Sequence, residues 1–275
     1  MNSQRYARLA RHGILMMGVL ISLFPFYWMV VMATNSTSDF YRYPPKLTFG
    51  PYLLDNIQRV LANVDLFSAM VNSFVVACVT TLLVLFFNSL AAFTFAKYDF
   101  PGRKLLFGLL LAFYMLPTQL ALLPQFVIVS RLGLAGSLPA LVLPSLANAF
   151  GIFWMRQYTQ GAIPDELIDA ARIDGAGFFR QYWQIGLPLV RPGLSFLGIY
   201  TFVAVWNDYI WPLIVLVNPD QLTLQVALAQ LKTAHGTDYS MVMAGAVLAI
   251  APLLIAFSVF ARGFVADAAK GALRG

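Results

Sequence analysis

The chain has 275 residues, of which 60% are hydrophobic and only 11% charged, whereas an ordinary soluble domain is about 25% charged. This composition excludes an ordinary water-soluble protein. The net charge of +6 is spread over several separate basic segments, which argues against nucleic acid as a partner. The single cysteine, Cys78, lies inside an apolar run, where it acts as a small apolar filler.

Uncharged apolar runs predict six transmembrane helices, because about 20 residues are needed to cross roughly 30 Å of hydrocarbon. The runs lack the period-two alternation of barrel strands, so helices are expected. The expected fold is an all-α membrane protein that forms a single transmembrane domain over 1–275. The predicted spans cover residues 13–34, 69–96, 105–130, 136–156, 192–217 and 239–261.

The distribution of Lys and Arg predicts that both termini are cytoplasmic, since these residues favour the cytoplasmic side of short loops. With that orientation, thirteen of the 18 basic residues face the cytoplasm. The first apolar run is longer than the core of a typical signal peptide and is expected to remain as a helix. Turn signals in the external segment 35–65 precede a predicted short helix over 54–61.

The longest cytoplasmic excursion runs from Ile163 to Pro192, and its first half has the features of a short helix. Pro164 suits a first helical position, and Gly175 provides a stop. Acidic residues at the beginning and Arg172 at the end match the helix dipole.

With a period of 3.6, one narrow face of this helix carries small side chains, which favours close docking of another surface. The alternative is an amphipathic helix resting on lipid, which normally has a wider apolar face and a Lys-rich polar face. The residues predicted to share the narrow face are Leu167, Ala170, Ala171 and Asp174.

The spacing of residues in this loop resembles the EAA motif of binding-protein-dependent ABC importers. The pattern runs Asp169-Ala170-Ala171, three residues, Gly175, nine residues, Ile185, one residue, Leu187-Pro188. Asp169 stands where the family usually has Glu, which keeps the charge but shortens the side chain by one methylene group. The flanking sequence resembles the carbohydrate branch of this family, and specifically its maltose-type second permease subunit.

The resemblance extends from about Asn72 to the C-terminus. In the tail, Ala266-Asp267 replaces a customary Arg-Gly. Other stretches that carry the resemblance are 163–167, 172–176, 100–104, 115–117, 131–134, 206–209 and 271–275.

This resemblance implies a multi-pass permease subunit in a bacterial cytoplasmic (inner) membrane that imports a sugar or oligosaccharide. A related polyol or glycerol-phosphate solute is the alternative. The implied partners are a second permease subunit, two ATPase subunits and an extracytoplasmic substrate-binding protein. The implied ATPase-coupling residues are Glu166, Leu167, Asp169, Ala170, Ala171, Asp174, Gly175, Ala176, Ile185, Leu187 and Pro188.

ATP and Mg are expected on the partner ATPase subunits, because this chain has no phosphate-binding G-x-x-x-x-G-K-[ST] sequence. We expect no catalytic residue, cofactor or metal site in this chain. An ion-coupled secondary transporter is the rival function, and it would need ionisable residues deep within its helices. Asp208 is the nearest candidate, but it is placed near a helix end, where interfacial placement or pairing is the favoured interpretation.

Polar and aromatic residues inside the spans are candidates for the substrate path, since sugars are held by hydrogen bonds and by stacking on aromatic faces. Helix-helix hydrogen bonds and interfacial anchoring are the alternative roles. Pro117, Pro124, Pro144 and Pro188 are candidates for bends that expose carbonyl groups to the path. The candidate path residues are Asn88, Tyr114, Gln119, Asn148, Trp206, Asn207 and Trp211.

Overall fold

A computed structural model describes residues 2–233 and 236–272, with side chains described at residue 6 and over 9–232 and 237–255. Over these ranges the regular secondary structure is helical apart from one small hairpin, in which Lys232–Thr233 pairs antiparallel with Gly236–Thr237. The side chains of the C-terminal tail, on which part of the family resemblance depends, lie outside the described residues.

The α-helices differ widely in length, and several are only one or two turns long. Turns of 3₁₀ helix cover Thr118–Ala121, Leu143–Ser145 and Pro219–Gln221, and a π-helical turn covers Tyr182–Gly186. The α-helices span Asn2–Ala33, Thr37–Phe40, Leu53–Asn63, Leu66–Lys97, Arg103–Tyr114, Leu122–Arg131, Pro139–Val142, Ala149–Ala162, Asp165–Ile173, Phe178–Gln181, Leu187–Leu189, Arg191–Trp206, Ile210–Val215, Leu224–Ala229 and Tyr239–Ala272.

Two described helices are long and apolar enough to cross a membrane, Leu9–Ala33 and Leu66–Lys97. They coincide with the first two predicted spans. Two further apolar segments are sharply bent, by 98° between Arg103–Tyr114 and Thr118–Arg131 and by 79° between Phe178–Leu189 and Arg191–Trp206. Counting each bent pair as one span gives four among the described residues, so the count of six and the orientation of the termini stay predictions.

The third, fourth and fifth predicted spans are not continuous helices. Pro117 lies in the break of the third span, and Pro144 lies in the 3₁₀ turn that interrupts the fourth. Proline causes such breaks because it lacks an N–H and its ring clashes with the preceding turn. The fifth span breaks at 207–209, after the helix Arg191–Trp206.

The other two proline candidates behave differently from each other. Pro188 lies in the short helix Leu187–Leu189, directly before the 79° bend. Pro124 lies in the first turn of Leu122–Arg131, where its missing N–H costs no helical hydrogen bond.

The chain divides into two compact units, one of Met1–Leu66 with Ala227–Pro252 and the other of Phe67–Val226 with Leu253–Gly275. The single transmembrane domain over 1–275 stays a prediction. The first unit contains the helix Leu53–Asn63, which confirms the short helix predicted over 54–61.

Buried amides and an ion pair hold the first unit together. The Asn56 amide donates to the backbone carbonyls of Ala33 and Asn35, at 2.7 and 3.0 Å, and so ties the helix Leu53–Asn63 to the end of the first long helix. Arg59 pairs with Asp238, which precedes the last helix. The segment 35–65 therefore has defined structure in spite of its many turns.

The second unit has two apolar clusters and contains the whole loop from Ile163 to Pro192. One cluster includes Phe93, Ile168 and Tyr182 and lies under this loop. The other includes Val129 and Trp211. The loop thus packs on the same apolar cluster as the Lys97 end of Leu66–Lys97.

Candidate functional site

The first half of the loop forms the predicted helix, which spans Asp165–Ile173 and is called the docking helix below. Pro164 is its N-cap rather than its first helical residue, a shift of one position. At the other end, the Ala176 N–H donates to the Ala171 carbonyl at 2.9 Å and the Gly175 N–H donates to the Arg172 carbonyl at 3.0 Å. These two bonds form a Schellman motif, which requires the left-handed conformation that Gly175 adopts at φ 76°.

The docking helix buries a different face from the one that the helical period suggested. Ile168 and Ala171 are buried, so Ala171 does not share an exposed face with Leu167, Ala170 and Asp174. That part of the prediction is wrong, because Ile168, absent from the EAA pattern, is the larger apolar anchor and sets which side turns inward.

The exposed face of the docking helix centres on Glu166, Ala170 and Ile173, which follow one another at helical spacing. Ile173 is 86% exposed and was missed by sequence reasoning. Its position seven residues after Glu166 was the available signal. An exposed isoleucine beside a small alanine is suited to insertion into a groove on another protein.

Lys97 holds the beginning of the docking helix. Its side chain is only 4% exposed, and its ammonium lies 2.6 Å from an oxygen of Asp165, whose side chain is 80% exposed. The same ammonium donates to the backbone carbonyl of Ile163. The hydrogen bond and charge of Lys97 lower the pKa of Asp165, so this carboxylate remains ionised at neutral pH.

Arg172 holds the end of the docking helix against the same neighbouring helix. Its guanidinium donates to the Lys97 carbonyl at 3.2 Å and lies 5.1 Å from the centre of the Tyr98 ring. It also donates to Asp169 at 3.0 Å. The family-like carboxylate at Asp169 is therefore paired within its own helix in this structure.

The second half of the loop packs on Phe93. Rings of Tyr98, Phe178 and Tyr182 surround this phenylalanine, with centroids 5.7 to 5.9 Å from its own. The Tyr182 hydroxyl lies 2.8 Å from the Ser89 hydroxyl, one turn earlier on the same long helix. Ile185 and Leu187 join this cluster as half-buried residues.

The predicted coupling residues therefore fall into two sets. Ala171 is buried, Ile185 and Leu187 pack against the apolar cluster, and Ala176 is half-buried. The exposed members are Glu166, Leu167, Asp169, Ala170, Asp174, Gly175 and Pro188.

Of the candidate path residues, Tyr114, Gln119 and Asn207 are exposed. Tyr114 and Gln119 flank the break of the third span, where residues 112–121 are all exposed. Asn148 is the N-cap of Ala149–Ala162, and its side chain accepts from the Gly151 N–H at 3.1 Å. Its role in this structure is to begin a helix within the fourth predicted span.

The structure places other candidate path residues between helices. Trp211 is buried and donates to the Ala140 carbonyl at 3.0 Å, and Trp206 is also buried. Asn88 is fully buried against Gly151, and neither its nitrogen nor its oxygen has a hydrogen-bond partner in the described part of the chain. Trp211 and Asn88 thus contact neighbouring helices in this structure, and a place for them in the substrate path stays a prediction.

Asp208, the nearest candidate for a proton relay, lies in the break of the fifth span. It lies two residues before the short helix Ile210–Val215, whose N-cap is Tyr209. Its position near a helix end agrees with the sequence, and interfacial placement or pairing stays a prediction.

A row of five aromatic rings crosses three helices near the break of the third span. Phe150 lies 6.1 Å from Tyr114 and 4.8 Å from Tyr200, measured between ring centroids. Phe196 continues the row from Tyr200 to Trp154. Only Tyr114 was a sequence candidate, because the juxtaposition of the other four depends on how the helices pack.

Known proteins match this chain both in sequence family and in fold. Residues 85–267 match the family described as the binding-protein-dependent transport system inner membrane component. One chain in the crystal structure of a bacterial ABC transporter involved in the import of the acidic polysaccharide alginate has the same fold. Its TM-score is 0.80 at 21% identity, covering 96% of this chain and 98% of that chain.

Curated relatives match over almost their whole length. The lactose transport system permease protein of Rhizobium radiobacter is 35% identical over 262 residues, which is 95% of each chain. An arabinooligosaccharide transport permease of Halalkalibacterium halodurans is 34% identical, covering 93% of this chain and 92% of the relative. The sn-glycerol-3-phosphate transport permease of Yersinia pestis is also 34% identical, covering 92% and 93%.

The fold and the loop define a membrane permease subunit of an importer. More specifically, the chain belongs to the family of binding-protein-dependent transport system inner membrane components. The resemblance drawn from the EAA spacing is confirmed.

Substitution of Gly186 tests the packing of the loop on Phe93. A Cβ atom added at Gly186 would lie 2.9 Å from a Phe93 ring carbon, and this ring cannot yield because it is 2% exposed and enclosed by other rings. We expect Gly186→Ala to lower the free energy of unfolding by about 1 to 3 kcal/mol, as overpacking does. Thermal unfolding of the purified subunit measures the change.

Gly161→Ala is the matched control, because an added Cβ there meets nothing within 4 Å and the residue lies in a helix. Its expected effect is neutral or a gain of up to about 1 kcal/mol. Equal melting temperatures for the two variants would contradict the tight contact at Phe93.

Proposed function

We propose that this chain forms half of the translocation pathway of an ATP-driven importer for a sugar or oligosaccharide. The observation that carries the proposal is the docking helix, which exposes Glu166, Ala170 and Ile173 while its other side is fixed to a membrane-crossing helix. An exposed helix that is firmly held from behind can transmit the motion of a partner. A helix resting on lipid normally has a wide apolar face and a Lys-rich polar face, whereas Asp165–Ile173 contains no aromatic residue and no lysine.

The partner at this face is an ATPase subunit with a groove that receives the docking helix. ATP binding and hydrolysis change the shape of the ATPase pair, and such a switch drives the permease only through contacts that differ between its two states. ATP and Mg are bound by the ATPase chains. A second permease subunit and an extracytoplasmic substrate-binding protein complete the importer, in a bacterial cytoplasmic membrane with both termini of this chain inside.

The solute passes the row of aromatic rings near the break of the third span. Helical rise places Tyr114 about 17 Å from Arg103 and Tyr200 about 14 Å from Arg191, which is close to the middle of a 30 Å hydrocarbon layer. Tyrosines that face lipid cluster at the membrane surfaces and not at this depth. Their hydroxyls, on side chains 53% and 46% exposed, suit a polar path.

The same row favours a sugar over a glycerol phosphate. Carbohydrate rings stack on aromatic faces, whereas a phosphate is normally bound by Arg, Lys or clustered backbone N–H groups. The row contains no basic residue. The relatives named for lactose and arabinooligosaccharides support the same choice, and the relative named for sn-glycerol-3-phosphate supports the alternative.

Uptake measurements distinguish these solute classes. In vesicles with the complete importer and its binding protein, we expect ATP-dependent uptake of a labelled di- or oligosaccharide that excess glycerol phosphate does not inhibit. Uptake of glycerol phosphate alone would establish the alternative. Uptake driven by a proton or sodium gradient without ATP would contradict both.

Gly175→Asp tests the coupling role of the loop. Residues other than glycine are strained at φ 76°, so the variant loosens the end of the docking helix and adds a negative charge next to Asp174. We expect normal insertion and continued ATP hydrolysis, with uptake reduced by about tenfold or more. Uptake and ATPase rates in the same vesicles provide the measurement.

Gly177→Asp is the control for the added charge. Gly177 is exposed, has an ordinary backbone conformation and is the N-cap of the next short helix, where aspartate is favoured. It is expected to transport normally. Wild-type uptake by Gly175→Asp, or equal defects in both variants, would refute the coupling role.

Tyr200→Ala tests the aromatic row. Loss of a stacking face at the centre of the row should weaken solute passage by roughly tenfold, since an aromatic contact contributes about 1 kcal/mol or more. Tyr200→Phe keeps the face and should retain most uptake. Phe113→Ala removes an exposed ring outside the row, so an equal loss of uptake there would argue against a path along these rings.

A further inference from the structure

Lys97 lies outside the EAA pattern, yet it makes the closest polar contacts between the loop and a membrane-crossing helix. It is the last residue of Leu66–Lys97, and its ammonium bonds to Asp165 and to the Ile163 carbonyl. We propose that Lys97 is the positioning residue through which the docking helix moves the Leu66–Lys97 helix, so that this helix carries the motion of the ATPase into the membrane. The inference rests on the proposed ATPase contact.

The docking helix is attached at both ends. Lys97 binds its first residue, while Arg172 near its end donates to the Lys97 carbonyl and packs over Tyr98. A single attachment would leave the helix free to swing about that point. Two attachments to neighbouring residues fix the direction of the helix as well as its position.

Apolar packing also restricts movement of the docking helix relative to the Leu66–Lys97 helix. Ile163 and Ile168 are buried in the cluster that contains Phe93, one turn before Lys97. Close-packed side chains yield little, so a displacement of the docking helix is passed to the residues on which it packs. The polar contacts of Lys97 and Arg172 fix the direction of the docking helix, and the apolar contacts transmit its displacement.

The Leu66–Lys97 helix is suited to carry this motion. It runs without interruption for 32 residues, whereas the segments 103–131 and 178–206 bend by 98° and 79°. A bend can act as a hinge and absorb displacement. Among the described helices that the loop contacts, this one offers an unbroken route across the hydrocarbon layer.

The contribution of Lys97 is geometric and not a large source of stability. Asp165 is mostly exposed, and exposed ion pairs contribute little because water screens them. An ammonium group has three donors and can serve both the Asp165 carboxylate and the Ile163 carbonyl. Methionine at this position keeps the length of the stem but provides no donor, so both acceptors lose their partner.

Lys97→Met in the complete importer tests the proposal. We expect the ATPase subunits to remain bound in pull-down, while the ATP consumed per solute imported rises by roughly five- to tenfold. Arg172→Met should shift the same ratio in the same direction, and Lys97→Arg should restore it in part. Uptake, ATP hydrolysis and bound ATPase are measured on one preparation of vesicles.

Lys104→Met is the matched control. Lys104 is exposed, lies on the same predicted side of the membrane and makes no ion pair in the described part of the chain. The variant loses the same charge, and its ratio should equal that of the wild type. A normal ratio in Lys97→Met, or equal shifts in the Lys97 and Lys104 variants, would overturn the proposal.

Asp165→Asn covers the case in which Lys97→Met is not recovered from the membrane. It removes only the ion pair, and we expect a smaller rise in ATP per solute. Unchanged ratios in both Asp165→Asn and Arg172→Met would also overturn the proposal. A wild-type complex that binds no ATPase, or imports without ATP, would instead refute the proposed function itself.

Discussion

Packing around the buried ring of Phe93 is the constraint on which the arrangement of the loop depends. Tyr98, Phe178 and Tyr182 enclose this ring, and Gly186 allows the second half of the loop to approach it closely. Dense packing of this kind has few alternative arrangements. The loop is therefore a rigid extension of the helix below it, although a loop of this length outside the membrane would ordinarily be mobile.

The loop from Ile163 to Pro192 is rigid, whereas several of the predicted membrane spans are interrupted. The third, fourth and fifth predicted spans break near their middle or outer part, and non-helical backbone at membrane depth is tolerated only where protein or a water-filled cavity satisfies it. Asn148 caps the helix Ala149–Ala162, which begins at one of these breaks. The protein thus combines an unbroken helix, Leu66–Lys97, with several predicted spans that are broken.

Much of the candidate coupling site was predictable, because its signals are local. Gly175 was placed at the end of a helix from residue type alone, and the left-handed φ and the Schellman bonds agree with that placement. The buried face of the helix was not predictable from spacing, since it depends on the packing of Ile168 in the apolar cluster that contains Phe93. The contact between Lys97 and Asp165 was not predictable either, because 68 residues separate them in the chain.

The sequence by itself determined that this is a membrane protein, where its apolar runs lie and where the helix Asp165–Ile173 forms, because composition, run length and capping act over a few residues. Only the tertiary structure decided which polar residues face outward, how five aromatic rings from three helices align, and which membrane helix holds the loop. These features depend on contacts between segments distant in the chain. No local pattern specifies them.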